Sequence, residues 1–418
     1  MNSKFKIPGE EVQSRIAPYL AISEKGRVQD LTTYFADNVL EQHSSLEEYG
    51  IWLLDSVSDI YRETLQSGDA NIMIDYEIES LNKWGPIYML PWAEREKDLA
   101  EYYGETITMD SDMVRIAQTV CASLFNRRQR LTPLSLEKSI DYMDPSTNSG
   151  LPFFTKRRLV AEQDLILAKD LDRNLNSSDR YDAYPAIAFW RGQPGGSKPK
   201  QRMVWGIAES QSMVEAQYYV PLYNALRSQE LAMFSAWEGP ETVDKSITNA
   251  FESNGGGTFL SSDYSGYDQS IRSLWYWCEL LFQYAYQSRY HRYINNLIDL
   301  ISHVPMVTPD DRTATKYGYA LHGMPSGTMF TNLLDTYINL VSSKYLEQFG
   351  SGLSVIGVQG DDAVVQFRDE KDIMPYLTNS ARLGLEMNED KQFIGKDAIL
   401  YLRRYHFRNW KVDGENTG

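Results

Sequence analysis

Residues 357–365 read GVQGDDAVV, with Asp361 and Asp362 adjacent between two short, apolar, β-branched runs. Paired carboxylates between buried strands cost free energy unless a cation or hydrogen bonds compensate them. The chemical reading is a divalent-metal platform; the bland one is an acidic hairpin turn. A second strand-like run, TFLSSD, ends in Asp263, and Asp268 follows in the same stretch, DYSGYD. Magnesium takes one or two carboxylates and completes its shell with water and phosphate oxygens. If the strands carrying Asp263 and Asp361 are neighbours, two ions about 3.5–4 Å apart would bind the attacking and leaving oxygens of a phosphoryl transfer. GDD alone arises often by chance, so the weight lies in the combination.

Other residues fit the same chemistry. Between the acidic stretches lies GMPSGTMFTN, where Gly323 and Gly327 permit a strained loop, Ser326 presents a hydroxyl, and Thr331 and Asn332 lie on the helix that follows. Upstream, KPKQR places Lys200 and Arg202 two apart, so an extended segment points both to one side, with Lys198 before them. Arginine suits phosphate because its planar fork binds oxygens bidentately. A solvated basic loop is the competing reading for this stretch, a helix cap for Ser326, and an N-cap for Asp268.

The elements that must position these groups are legible in part. The chain has 418 residues, enough for a large core and more than one subdomain. Its 42% hydrophobic and 23% charged residues are ordinary for a globular protein. A net charge of −16 argues against coating nucleic acid by bulk positive charge, although RRQR (127–130), TKRR (155–158) and 190–202 concentrate basic residues. No apolar run approaches the roughly 20 residues that span a bilayer. Only Cys121 and Cys278 occur, without metal-ligand spacing, so a disulfide framework and a structural zinc are not expected and a reducing setting fits.

Helical spacing is expected over 30–42, 46–66, 111–140, 157–176, 210–228, 269–289, 328–349 and 374–386, and loops at 144–154 and 192–201. Short strands are expected at 202–208 and 258–262, on either side of GDD, and at 398–407. This order predicts an α+β fold, an antiparallel sheet backed by helices.

The set DYSGYD (263–268), GMPSGTMFTN (323–332) and GDD (360–362), in that order, resembles viral RNA-dependent RNA polymerases, most of all those of double-stranded-RNA picobirnaviruses and partitiviruses. The resemblance covers about residues 144–407. It implies a right-hand polymerase with helix-rich fingers and an antiparallel-sheet palm, using Mg²⁺, with Mn²⁺ as a substitute. Asp263, Asp361 and Asp362 match the metal-binding positions, and Asp268 the aspartate that senses the ribose 2′-hydroxyl. Ser326, Gly327, Thr331 and Asn332 match the loop and helix that feel template and sugar. Many relatives carry asparagine where this chain has Asp335, with Asn332 one turn away as the substitute. Lys200 and Arg202 match the basic segment over the triphosphate. Lys391 matches a general acid for departing pyrophosphate, a surface lysine being the alternative. Ser149 and Gly150, in TNSGLP, match a template-guiding loop, and Arg403 and Arg404, in YLRRYHF, a primer-gripping hairpin; an ordinary surface loop and solubilising edge charges compete.

The implied organisation is an N-terminal extension over 1–110 that bridges to the fingers. Fingers occupy 111–257, with the template loop at 144–154, the basic motif at 190–202 and part of the palm from about 203. The palm covers 258–410, with a fingers insertion at about 285–320. Residues 411–418 would start a thumb that is truncated or absent, as in a fragment. Template and product RNA and nucleoside triphosphates are the expected partners, with viral capsid protein as a further one and no membrane segment; the expected setting is the virion or host cytoplasm. A reverse transcriptase and an inactive scaffold retaining a palm are the alternatives.

Overall fold

The computed structural model describes residues 10–29, 46–83, 87–125, 130–177, 183–196, 198–253, 257–350, 354–387 and 391–418. The helix expected over 30–42 and most of the 127–130 basic cluster lie outside them.

Eleven strands form among the described residues. A small pair joins β1 (Arg27–Gln29) to β2 (Ile87–Met89). β3 (Ala186–Gln193) and β4 (Lys200–Gly206) form a long antiparallel hairpin. β5 (Thr258–Ser262) is buried at every position, as a central strand must be. β6 (Met306–Val307) pairs in parallel with β3. β7 (Ser354–Gln359) and β8 (Asp362–Phe367) form the hairpin expected around GDD. β9 (Phe393–Gly395), β10 (Ala398–Tyr401) and β11 (Arg404–Phe407) complete the set.

The sheet that matters runs β7-β8-β5-β9, antiparallel throughout. The expected α+β architecture with an antiparallel sheet is therefore present. The helix Thr331–Leu346 packs against this sheet and is buried on nearly every side, with Leu334, Ile338, Val341 and Leu346 in the main core. Around it lie the helices Ser111–Leu124, Glu209–Arg227, Trp275–Ala285 and His291–Ser302. Cys121 and Cys278 are free thiols within that core, and Cys121 Sγ lies 3.0 Å from the Tyr337 hydroxyl.

Four elements differ from expectation. The helix expected over 111–140 is Ser111–Leu124 only; Leu131 instead makes an isolated bridge to Tyr286, and a short helix follows at Leu136–Ser139. β3 and its parallel partner β6 were not anticipated, because AIAFWRGQ lacks alternation and its partner is two residues long. The helix expected over 269–289 is broken: short turns cover 267–273 and the helix proper is Trp275–Ala285. At the break, Ser273 Oγ accepts from the Ile107 N–H at 2.8 Å. The run 398–407 is a hairpin, as the resemblance implies, rather than the single strand its residue types suggest, with Leu402 and Arg403 both at positive φ in its turn.

Candidate active site

The sheet brings the acidic residues together. β5 pairs with β8 so that Ser262 faces Ala363, and Asp263 and Asp362 stand at the same sheet end. Between β7 and β8 the two loop residues are Gly360 and Asp361; Gly360 takes φ +60°, as the first position of such a tight loop favours. These groups line one cleft of about 1040 Å³. Asp268, Asp335, Thr331, Asn332, Lys200, Arg202 and Lys391 line it too.

Its electrostatics are those of facing charges of both signs. Burial, and then Asp361, raise Asp263 above the usual carboxylate range, while Lys391, Lys200 and Arg202 pull it back. Asp362 is pushed up to about 6 by burial, Asp361 and Asp263, with Arg403 opposing. Burial and Asp361 push Asp268 to about 6 against the pull of Arg202. Asp335 is buried and held well above the carboxylate range by desolvation, then by Asp268 and Asp361.

Local structure explains each placement. β4 is extended, so Lys200 and Arg202 share its exposed side. Gln201, between them, anchors β4 to β2: its Oε1 accepts from the Leu90 N–H at 3.3 Å and its Nε2 donates to Tyr88 O at 2.9 Å. Lys391 donates from Nζ to Ser265 Oγ at 3.2 Å. Asp268 is not an N-cap; Gly266 caps the short helix Tyr267–Ser270, and Asp268 lies inside its first turn. Ser326 is not a helix cap either. Phe330 occupies that position, and Ser326 Oγ accepts from the Trp205 N–H at 3.4 Å. A Cβ on Gly327 would fall 1.8 Å from Trp205 O, so the glycine lets this loop lie directly on β4.

Other predicted residues are placed elsewhere. Ser149 and Gly150 are buried. Their polar groups bind within the loop and its floor: the Ser149 N–H donates to Thr155 O at 2.7 Å, and Ser149 O accepts from the Glu209 N–H at 2.8 Å. Direct phosphate contact from either residue would require the loop to open. Arg404 donates from Nη2 to Asp244 Oδ2 at 3.1 Å, beside His406 on the same carboxylate at 2.9 Å, so its charge serves the hairpin's own packing. Arg403 is exposed at the turn.

Several contributors were missed by sequence reasoning. The helix Trp92–Ala100 forms a wall of the cleft through Glu94 and Lys97, inside the stretch read as an extension. Gln392 clamps the backbone of Asp263, its Oε1 accepting from the Asp263 N–H at 3.0 Å and its Nε2 donating to Asp263 O at 2.8 Å. Thr336 and Asn339 hold the Gly360–Asp361 turn. Glu215, fully buried, accepts from Thr328 Oγ1 at 2.6 Å, the Met329 N–H at 2.7 Å and Gln211 Nε2 at 2.9 Å, bracing the 323–331 loop from below. Only adjacency to a recognisable motif, as for Gln392 beside Lys391, could have flagged any of them.

An antiparallel sheet with acidic strand ends, facing a basic hairpin across a cleft, is the arrangement of a nucleic-acid polymerase. Residues 54–404 match the model of the family described as viral RNA-dependent RNA polymerase, and the chain belongs to that family. Among its relatives, a potential RNA-dependent RNA polymerase of Human picobirnavirus (strain Human/Thailand/Hy005102/-) is 29% identical over 393 residues, covering 87% of this chain and 70% of that protein. A probable RNA-directed RNA polymerase of Giardia lamblia virus (isolate Wang) is 25% identical over 255 residues, 56% of this chain and 13% of the viral protein. The crystal structure of the RNA-dependent RNA polymerase of a human picobirnavirus superposes with a TM-score of 0.77 at 23% identity, covering 98% of this chain and 79% of that one. The expected α+β polymerase fold thus has a solved counterpart, and the reverse-transcriptase alternative loses its ground.

Proposed function

We propose that the chain joins ribonucleotides on an RNA template by a two-metal mechanism, as the replicating and transcribing enzyme of a viral RNA genome. The observation that carries this is the convergence of Asp263, Asp361 and Asp362 at one sheet end, facing Lys200, Arg202 and Lys391 across a cleft. No cation-bearing side chain lies within ion-pair distance of those three carboxylates among the described residues, which leaves their oxygens available to a metal. Nor do three ligating side chains close around one point among the described residues. The donor set is an open platform, which fits Mg²⁺ or Mn²⁺ that shares its shell with water and phosphate. When bound, the ions would acidify the 3′-hydroxyl and neutralise charge on the leaving pyrophosphate.

The chain's own groups do the positioning. Lys200 and Arg202 would hold the triphosphate from the exposed side of β4, and Lys391 is placed to return a proton to pyrophosphate. Asp268, with Asn332 and Asp335 nearby, would accept a hydrogen bond from a ribose 2′-hydroxyl. Ser326, Gly327 and Thr331 would shape the floor under template and sugar. In this reading the β7-β8-β5-β9 sheet is the palm and the β3–β4 hairpin belongs to the fingers. Arg403 would meet primer-strand phosphates. Capsid protein as a further partner, and the virion or host cytoplasm as the setting, rest on the family resemblance alone. RNA-templated incorporation of labelled ribonucleotides tests the proposal: Asp361→Ala should abolish Mg²⁺-dependent incorporation while the protein stays folded. Undiminished incorporation by that variant overturns it.

A further inference from the structure

Asn339 has no exposed surface, yet both polar atoms of its side chain serve the acidic segments. Its Oδ1 accepts from the Tyr264 hydroxyl at 3.4 Å, and its Nδ2 donates to Gly360 O at 3.0 Å and to Asp361 O at 2.9 Å. Tyr264 directly follows Asp263, so one amide touches both aspartate-bearing segments. Thr336, one turn earlier on the same helix, donates its hydroxyl hydrogen to Asn332 O at 2.6 Å and accepts the Gly360 N–H at 2.8 Å.

These contacts matter because the turn has little else to hold it. Nothing lies within 4 Å of where a Gly360 Cβ would be, and Asp361 is exposed. A two-residue loop held only by its ladder can pivot about Gly360. With the Gly360 N–H and both loop carbonyls engaged, the Cα–Cβ direction of Asp361 is set by a helix packed in the main core. No carboxylate oxygen is consumed, because every group doing the holding is neutral and binds backbone or the Tyr264 hydroxyl. Gln392 treats the Asp263 backbone in the same way from the other side. Neutral outer groups that orient ligands without competing for the ion are a general feature of metal sites.

We propose that Asn339, supported by Thr336, is the positioning residue that locks the Asp263 and Asp361 segments into one cation-binding register, by bridging the Tyr264 hydroxyl and the two loop carbonyls. The inference rests on the proposed metal platform and on nucleotidyl transfer only for its kinetic consequence. The test measures Mn²⁺ affinity by water-proton relaxation alongside RNA-templated incorporation, on Asn339→Ala, Thr336→Val and Thr336→Ser. Asn339→Ala and Thr336→Val should each weaken Mn²⁺ binding and lower kcat by roughly 10–100-fold. The nucleotide KM should stay within about threefold, because these residues do not touch nucleotide. Thr336→Ser, which keeps the acceptor oxygen, should restore Mn²⁺ affinity. A folded Asn339→Ala protein with unchanged Mn²⁺ affinity overturns the proposal. If Asn339→Ala does not fold, equal Mn²⁺ affinity in the valine and serine variants of Thr336 overturns it. Loss of Mn²⁺ binding in the variants of a wild type that incorporates no ribonucleotide would support the positioning role while removing the polymerase reading.

Discussion

Asp263 continues the β5–β8 register one step past the Ser262–Ala363 pair, which sets it against Asp362 at the end of the central sheet. Burial, then the neighbouring Asp361 and Asp263, push Asp362 up to about 6. Protons and a divalent cation therefore compete for the same oxygens. Mn²⁺ affinity should fall as pH drops from 7.5 through 6, because the carboxylates protonate and only the ionised forms bind. Asp263→Asn should weaken Mn²⁺ binding by more than the roughly 10- to 100-fold that outer-shell changes cause. A Mn²⁺ titration at three pH values checks both statements.

Two glycines near the site are required for different reasons, and substitution should separate them. A methyl group on Gly327 would fall 1.8 Å from Trp205 O, and a β4 carbonyl cannot move aside without breaking the hairpin. Gly327→Ala should cost about 3 kcal/mol or more and displace the loop that carries Ser326. Gly360 has open space around it but sits at φ +60°. Gly360→Ala should cost only about 1–2 kcal/mol, the penalty of a left-handed backbone for an L-residue. Urea denaturation midpoints at unchanged slope measure the difference.

The parts of the site that were legible in sequence are those written in local pattern. GDD between β-branched runs, Asp263 at a strand end and Lys200 and Arg202 at period two each announce themselves within a few residues. The polar residues that hold them do not. Asn339, Thr336 and Glu215 lie inside helices whose hydrophobic periodicity says only that they are buried, and their partners are distant in sequence. Arg404 resembled a phosphate ligand because nothing near it reveals Asp244 as its partner. β3 was missed because a strand partly buried on both faces shows no alternation, and its parallel partner β6 is too short to signal.

Glu215 should make stability depend on pH. It is fully buried, and desolvation raises it to about 7, with Thr328, Gln211 and the Met329 N–H moderating the rise. A carboxyl whose folded-state pKa exceeds its unfolded value binds more protons when folded. Its contribution is complete below the unfolded value of 4.5 and is lost as pH climbs through about 7. The change is on the order of 3 kcal/mol across that window. Glu215→Gln should flatten this dependence at little cost. The glutamine carbonyl can accept from Thr328 and Met329, and Gln211, whose Oε1 has no partner, can turn that oxygen towards the new amide. Glu215→Leu should destabilise by about 1–3 kcal/mol, leaving the Thr328 hydroxyl and Met329 N–H unpaired. Thermal midpoints between pH 5 and 8 distinguish the variants.

Asp335 supplies the last prediction, on sugar selection. Its carboxyl is buried, its Oδ1 has no partner, and Asp268 and Asp361 both face it. Two carboxyls in one desolvated place do not both ionise. Asp335 is the more deeply buried of the two, and Arg202 favours charge on Asp268, so the neutral state belongs to Asp335 and the charge to Asp268. A protonated Asp335 is then a hydrogen-bond donor, chemically close to an asparagine amide. Asp335→Asn should therefore keep incorporation within about threefold of wild type and preserve the preference for ribonucleotides. The acidic limb of the nucleotide kcat/KM profile, set by Asp268 near pH 6, should stay where it is, because the carboxyl removed carried no charge. Asp335→Leu keeps the volume but offers no donor, and should cut the ribose-over-deoxyribose ratio by roughly 10-fold or more, the loss expected when a hydrogen-bonding group in a recognition site goes unpaired. Incorporation of paired ribo- and deoxynucleotides from pH 5.5 to 8.5 measures both effects, and a wild-type-like ratio in Asp335→Leu would show that the sugar is read without it.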